Sequence, residues 1–176
     1  PSSRFRGRNF ALRHRGMPGA DGLVWQEAAT PDPGPDDVHV EIRAAGLNFR
    51  DVMAVSGMLP ERAEPTRAID CLGLELSGVV IGRGADVHDL VIGDRVFGMA
   101  RGTLCRHAVV PRTALHKTPA GLSHVDAATV PSAYLTAHHA LNRIARLQRG
   151  ETVLIHSATG GVGLAAALWR IAAREP

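Results

Sequence analysis

Six residues, Ala158-Thr159-Gly160-Gly161-Val162-Gly163, have the types and spacing to hold a phosphate. Ahead of them runs Thr152-Val153-Leu154-Ile155-His156, short and mostly apolar, which reads as a strand buried on both faces of a parallel sheet. After them comes Leu164-Ala165-Ala166-Ala167-Leu168-Trp169-Arg170, a run of helix formers. Strand, glycine turn and helix together open a dinucleotide-binding βαβ unit. In that frame Gly160 lets the backbone approach a pyrophosphate and Gly163 lets helix and strand pack closely. The N–H groups at the helix start, from Gly161, Val162 and Gly163, face the anion. Ala158 stands where the G-x-G-x-x-G pattern has its first glycine. A tight turn without a ligand is the plain alternative; the strand before it and the helix after it favour binding.

Only Leu164 to Pro176 follow the turn. A complete unit needs a second strand and a ribose-reading residue about 20 positions further on. The expectation is a chain cut inside a nucleotide-binding domain, with a different domain ahead of it.

Composition says what that other domain is. The 176 residues suffice for one domain and the start of another, and 45% apolar content supports a core. The 19 glycines and 11 prolines imply many turns, as in a β-rich barrel. The formal net charge is only +3, and the densest basic run is Arg4, Arg6, Arg8, Arg13 and Arg15. Only Phe5 and Phe10 interleave it, so it reads as a solvated edge and not as a nucleic-acid site. Cys71 and Cys105 form no C-x-x-C pair, which argues against a zinc knuckle or a disulfide framework and suits a reducing, cytoplasmic setting. No stretch approaches the roughly 20 apolar residues of a membrane span, and no secretory signal is present.

Along the chain, residues 1–8 read as a linker. Segments 9–15 and 22–27 form a plausible hairpin around Gly16-Met17-Pro18-Gly19-Ala20-Asp21. Pro31 to Asp37 is loop. Val38, Val40 and Ile42 alternate with His39, Glu41 and Arg43, as in a half-buried strand. Further strands are expected at 75–81, 95–99 and 105–110. Ser123 with Asp126 can cap a short helix. Pro131 should interrupt it, and a longer helix should run from Ser132 to about Ala145. The expected domains are a barrel over 9–122, bridging helices over 123–149, and the start of a nucleotide fold over 150–176.

The spacing Gly73-x-Glu75-x-x-Gly78-x-Val80-x-x-x-Gly84-x-x-Val87, followed by Gly93-Asp94-Arg95-Val96 and by the later glycine turn, resembles the medium-chain dehydrogenase/reductase superfamily. There a GroES-like, partly open barrel precedes a Rossmann domain, so the resemblance implies a mainly β fold with α, ending in the first βα unit of a truncated Rossmann domain. The stretch Ala44-Ala45-Gly46-Leu47-Asn48-Phe49-Arg50-Asp51-Val52-Met53 is similar to enoyl reductase domains of modular polyketide synthases, relatives of quinone oxidoreductase. Zinc alcohol dehydrogenases of the superfamily use Cys where Asn48 stands, and Gly-His-Glu where this chain has Gly73-Leu74-Glu75. Leu74 cannot bind zinc and an Asn amide is a poor ligand, so no metal is expected. His107, His116, His124, His138 and His139 lack ligand spacing.

The resemblance implies hydride transfer from NADPH to the 2,3-double bond of an enoyl thioester borne by an acyl carrier protein, beside other domains of the same multienzyme. It places Asn48 and Thr136 near the nicotinamide, with Ala158, Gly160, Gly161, Val162 and Gly163 at the pyrophosphate. A turn-forming Asn and a helix Thr bonding its own backbone are the alternatives. Met53 either lines the acyl pocket or fills core. Asp51 and Glu75 are expected to hold local structure, and Tyr134 to pack. The proton donor belongs to the half beyond residue 176, so no catalytic residue is assigned. The rivals are a stand-alone quinone or enone reductase without zinc, and a scaffold fragment without catalysis.

Overall fold

The computed structural model describes residues 5, 7–15, 19–30, 32–59 and 71–172. Most of the 1–8 stretch, the Gly16-Met17-Pro18 part of the hairpin tip and residues 173–176 lie outside them. Contacts divide the chain into two units, 1–128 and 129–176.

The first unit is built from antiparallel strands. β1 (Phe10–His14) pairs with β2 (Leu23–Glu27) as the expected hairpin. The main sheet contains β3 (Asp37–Gly46), β4 (Glu75–Arg83), β5 (Arg95–Met99), β6 (His107–Pro111) and β7 (Leu115–Lys117), in the order β6-β3-β4-β5-β7. Cys105 lies just outside β6, in an isolated bridge to Ala11. Arg106 N donates to Phe10 O at 2.9 Å while Arg106 O accepts from Ile42 N at 2.8 Å. Beside it, Asn9 Nδ2 donates to His107 O at 3.3 Å and Asn9 Oδ1 accepts from His107 N at 2.9 Å, and these links join the hairpin to the main sheet, giving the partly open barrel.

Alternation along the strands fills the barrel. Val38, Val40, Leu76, Val80, Val96, Val110 and Leu115 project into one core with Val87 and Leu90 from the β4–β5 connection. Burying each such side chain contributes about 1.5–3 kcal/mol, which makes this core the chief support of the unit. The strand period puts Glu75 and Ser77 on the other face of β4. Gly78 marks where β3 comes close: a Cβ there would run into the Glu41 carbonyl and sit 2.7 Å from Val40 Cγ1. Phe5, inside the stretch expected as linker, is buried and stacks on Phe10 at 5.3 Å.

Three features depart from the sequence expectations. Between β3 and β4 a helix, α1 (Phe49–Val55), stands where a turn was read at Asn48. α2 (His124–His138) runs through Pro131 without interruption and passes into a π-helical turn, His139–Ile144. Proline removes one helical hydrogen bond, but Pro131 is buried, as are Ala127 and Ala128, and that burial offsets the loss. Residues 151–155 form no strand, because a strand is defined by ladder bonds and no neighbour pairs with this segment among the described residues. Nor is it buried on both faces: Val153 and Ile155 are half-buried, but Leu154 is 82% exposed.

The second unit closes on a small cluster. Ala137, Leu141, Ala165 and Ala166 are buried together, with Tyr134, Val153, Ile155 and Trp169 packed around them. Tyr134 packs, as expected. α3 (Gly161–Ala172) begins within the glycine turn, at its second glycine.

Candidate functional site

The turn before α3 is closed from within. Ser157 has φ 51°, Gly160 N donates to Ser157 O at 2.9 Å, and Leu164 N then bonds to Gly160 O at 2.8 Å to start the helix. The three glycines answer to different demands. A Cβ on Gly163 would lie 2.7 Å from Ala158 Cα and 2.9 Å from Ala158 C, so close backbone contact excludes any side chain. The neighbour is the turn itself, not the strand the sequence pointed to. A Cβ on Gly160 would meet only Ser157 O at 3.3 Å, and one on Gly161 would meet nothing within 4 Å. Neither residue has a left-handed φ. Among the described residues the Ser157 carbonyl only crowds a side chain at Gly160, and none excludes one at Gly161. A phosphate brought against the turn would, and the first N–H groups of α3, from Gly161, Val162 and Gly163, have no intrahelical acceptor and sit at the positive end of the helix dipole. The residues present therefore fit the pyrophosphate of a dinucleotide. Ala158 and Val162 are exposed beside them.

Asn48 is the N-cap of α1. Its Oδ1 accepts from Arg50 N at 2.9 Å, and Asp51 Oδ2 accepts from Asn48 N at 3.2 Å, a reciprocal capping box. Asp51, buried, also accepts from Gly73 N at 2.9 Å through Oδ1. Gly73 has φ 91°, a conformation that favours glycine, and this bond ties the start of α1 to the approach of β4. Asp51 thus has a structural role. The cap carried its own sequence signal, an Asn followed three residues later by an acid, and it fixes the Asn48 amide in place. Met53 is half-buried on the same helix, while Leu47, Phe49 and Val52 are exposed. Glu75 is buried close above Gly46, where a Cβ would lie 2.5 Å from Glu75 Cγ.

Thr136 is exposed on α2, in the second unit with the glycine turn, and Asn48 and Met53 belong to the first.

A buried polar pair went unread in the sequence. Ser77 Oγ donates to Val96 O at 3.0 Å and lies 2.8 Å from His124 Nδ1, so Nδ1–H donates to the hydroxyl. Ser77 is fully buried, which removes it as a nucleophile. Burial, then the Arg95 and Arg43 charges, holds the His124 imidazole below its ordinary pKa. His39 and His107 meet edge to face at 5.5 Å, and both are lowered, chiefly by burial. Burial pushes the Cys105 thiol up to about 11, so it is a poor nucleophile. Among the described residues no three His, Cys, Asp or Glu side chains gather as a metal site, and no helix is long and apolar enough to cross a membrane.

Comparisons with known proteins agree with this picture. A family model described as alcohol dehydrogenase GroES-like domain matches residues 34–136. Erythronolide synthase EryA2 of Saccharopolyspora erythraea is 44% identical over 166 residues, covering 90% of this chain and 4% of that protein. The crystal structure of CurK enoyl reductase superposes with a TM-score of 0.86 at 32% identity, covering 94% of this chain and 52% of that one. The quinone oxidoreductase of Coxiella burnetii does so with a TM-score of 0.77 at 29% identity, over 90% of this chain and 52% of its own. The chain thus spans about half of each solved enzyme and a small part of the synthase.

Proposed function

Because the chain belongs to the alcohol dehydrogenase GroES-like domain family, we propose that it supplies the barrel and the first nucleotide-binding unit of a cytoplasmic, NADPH-dependent enoyl reductase within a polyketide synthase. The substrate is the enoyl thioester of a chain on an acyl carrier protein. One observation carries the reading. Gly160 and Gly161 meet no neighbour that excludes a side chain, in a chain 44% identical to a polyketide synthase.

When bound, NADPH supplies hydride to the β-carbon of the enoyl thioester, an activated position because the carbonyl withdraws electrons. The chain's own residues hold and orient. Ala158, Gly160, Gly161, Val162 and Gly163 receive the pyrophosphate on backbone N–H groups. Asn48, fixed as an N-cap, and the Thr136 hydroxyl orient the nicotinamide end. Met53 lies along the acyl chain. No residue of this chain is assigned as the proton donor, and no metal takes part.

The test is NADPH oxidation by a complete enzyme carrying this chain, offered crotonyl and longer enoyl thioesters or quinones. Turnover of enoyl thioesters is expected. Turnover of quinones alone would move the assignment to a quinone reductase, and turnover of neither to a scaffold.

A further inference from the structure

Three side chains of the second unit form a chain between the end of α2 and α3. Trp169 Nε1–H donates to Asn142 Oδ1 at 3.1 Å, and Asn142 Nδ2 lies 3.3 Å from His138 Nδ1. The His138 and Trp169 rings also meet edge to face, with centroids 4.9 Å apart. An indole N–H only donates, so Asn142 turns its oxygen to Trp169 and its NH2 group to His138. His138 Nδ1 must then accept, which requires that this nitrogen carry no proton.

That requirement makes the chain conditional. The two described residues that meet the His138 ring, Asn142 from the π-turn and Trp169 from α3, are both uncharged. Once the imidazole is protonated, Nδ1–H points at the Asn142 NH2, donor against donor. Rotating the amide to accept from the imidazolium would set its NH2 against the indole N–H instead. One amide cannot serve both neighbours of a charged His138. The π-turn, where Ala145 N reaches back five residues to Ala140 O, is itself a widening of a kind that recurs at functional sites.

We propose that Asn142 is a positioning residue for the cofactor helix. It fixes α3 to the helix that carries Thr136 while His138 is neutral, and it releases α3 when His138 is protonated. This rests on reading the turn at Ala158–Gly163 as the pyrophosphate site.

The experiment uses a complete reductase carrying this chain, labelled at the tryptophan indole nitrogen, with Trp169 identified by the signal lost in Trp169→Phe. The second readout is affinity for NADP+, the acid-stable form of the cofactor. On acidification that protonates the imidazole, the Trp169 indole signal should move from its hydrogen-bonded to its solvent position. Affinity should fall about three- to ten-fold, the range one neutral hydrogen bond supports. Asn142→Leu should give the released signal and weak binding at every pH. Asn142→Asp accepts from both neighbours, so its signal and affinity should stay firm across the same window. A parent signal that ignores pH overturns the proposal, and so does Asn142→Leu binding NADP+ like the parent. A responsive indole in an enzyme that binds no dinucleotide overturns the reading of the turn, and the positioning role with it.

Discussion

The barrel and the glycine-turn unit differ in what accounts for their residues. In the barrel the demands are internal. Val38, Val40, Leu76 and Val80 are covered by one another, Gly78 by the approach of β3, and Asp51 by the two backbone N–H groups it caps. Its exposed apolar side chains lie outside that core, at Leu47, Phe49, Val52 and Met58 around α1, at Val91 and Ile92 before β5, and at Val125. In the second unit, Ile144, Leu154, Leu164 and Leu168 are exposed, and Gly160 and Gly161 meet no neighbour that excludes a side chain. Apolar residues on a lone βα unit are those a continued parallel sheet covers. The barrel core is accounted for by its own packing, whereas the second unit leaves these apolar side chains uncovered among the described residues.

The largest effect that tests this contrast is on the barrel core. Leu76→Ala should cost about 2–5 kcal/mol in denaturant unfolding, because a fully buried leucine leaves a cavity. Leu164→Ala, on the exposed face of α3, should stay within about 0.5 kcal/mol. Equal costs would break the contrast.

A smaller effect belongs to the cap of α1. Asn48→Ala should lower stability by about 0.5–2 kcal/mol, the usual worth of an N-cap. If Asn48 also orients the nicotinamide, kcat should drop further than thermal unfolding explains. Asn48→Ser, which keeps the cap, should restore stability without restoring kcat.

The smallest effect is that of pH. His39, His107 and His124 have folded pKa values below the ordinary imidazole value, first because of burial. The unfolded chain therefore binds protons first, and stability present above about pH 6.5 is lost as pH falls below it. His124→Gln should flatten part of that loss in a melting series. A melting temperature that rises on acidification would contradict the sign.

The sequence made the barrel legible at β3, where Val38, Val40 and Ile42 alternate with polar residues because a half-buried strand leaves a period of two; β4, buried along its first four residues, shows no such period. The sequence hid α1, since Asn48 reads as a nicotinamide contact or a turn and Asp51 as a local structural residue, without the cap that joins the two. It misplaced the helix break at Pro131, where burial outweighed a lost hydrogen bond. It pointed to a strand at 152–156 that has no partner to pair with among the described residues. The His138–Asn142–Trp169 chain left no sequence signal, because its ends meet only through the fold. The glycine turn was the reverse case: its types were visible at once, and the structure separated a packing glycine from two that face outward.

That separation is the central claim, and paired valine variants in a complete enzyme test it most directly. Gly163→Val should lower thermal stability by about 1–3 kcal/mol through overpacking against Ala158. Gly160→Val should weaken NADPH binding strongly while changing thermal stability much less, since only Ser157 O lies near its Cβ. If Gly160→Val bound NADPH as the parent does, the turn would not be the phosphate cradle.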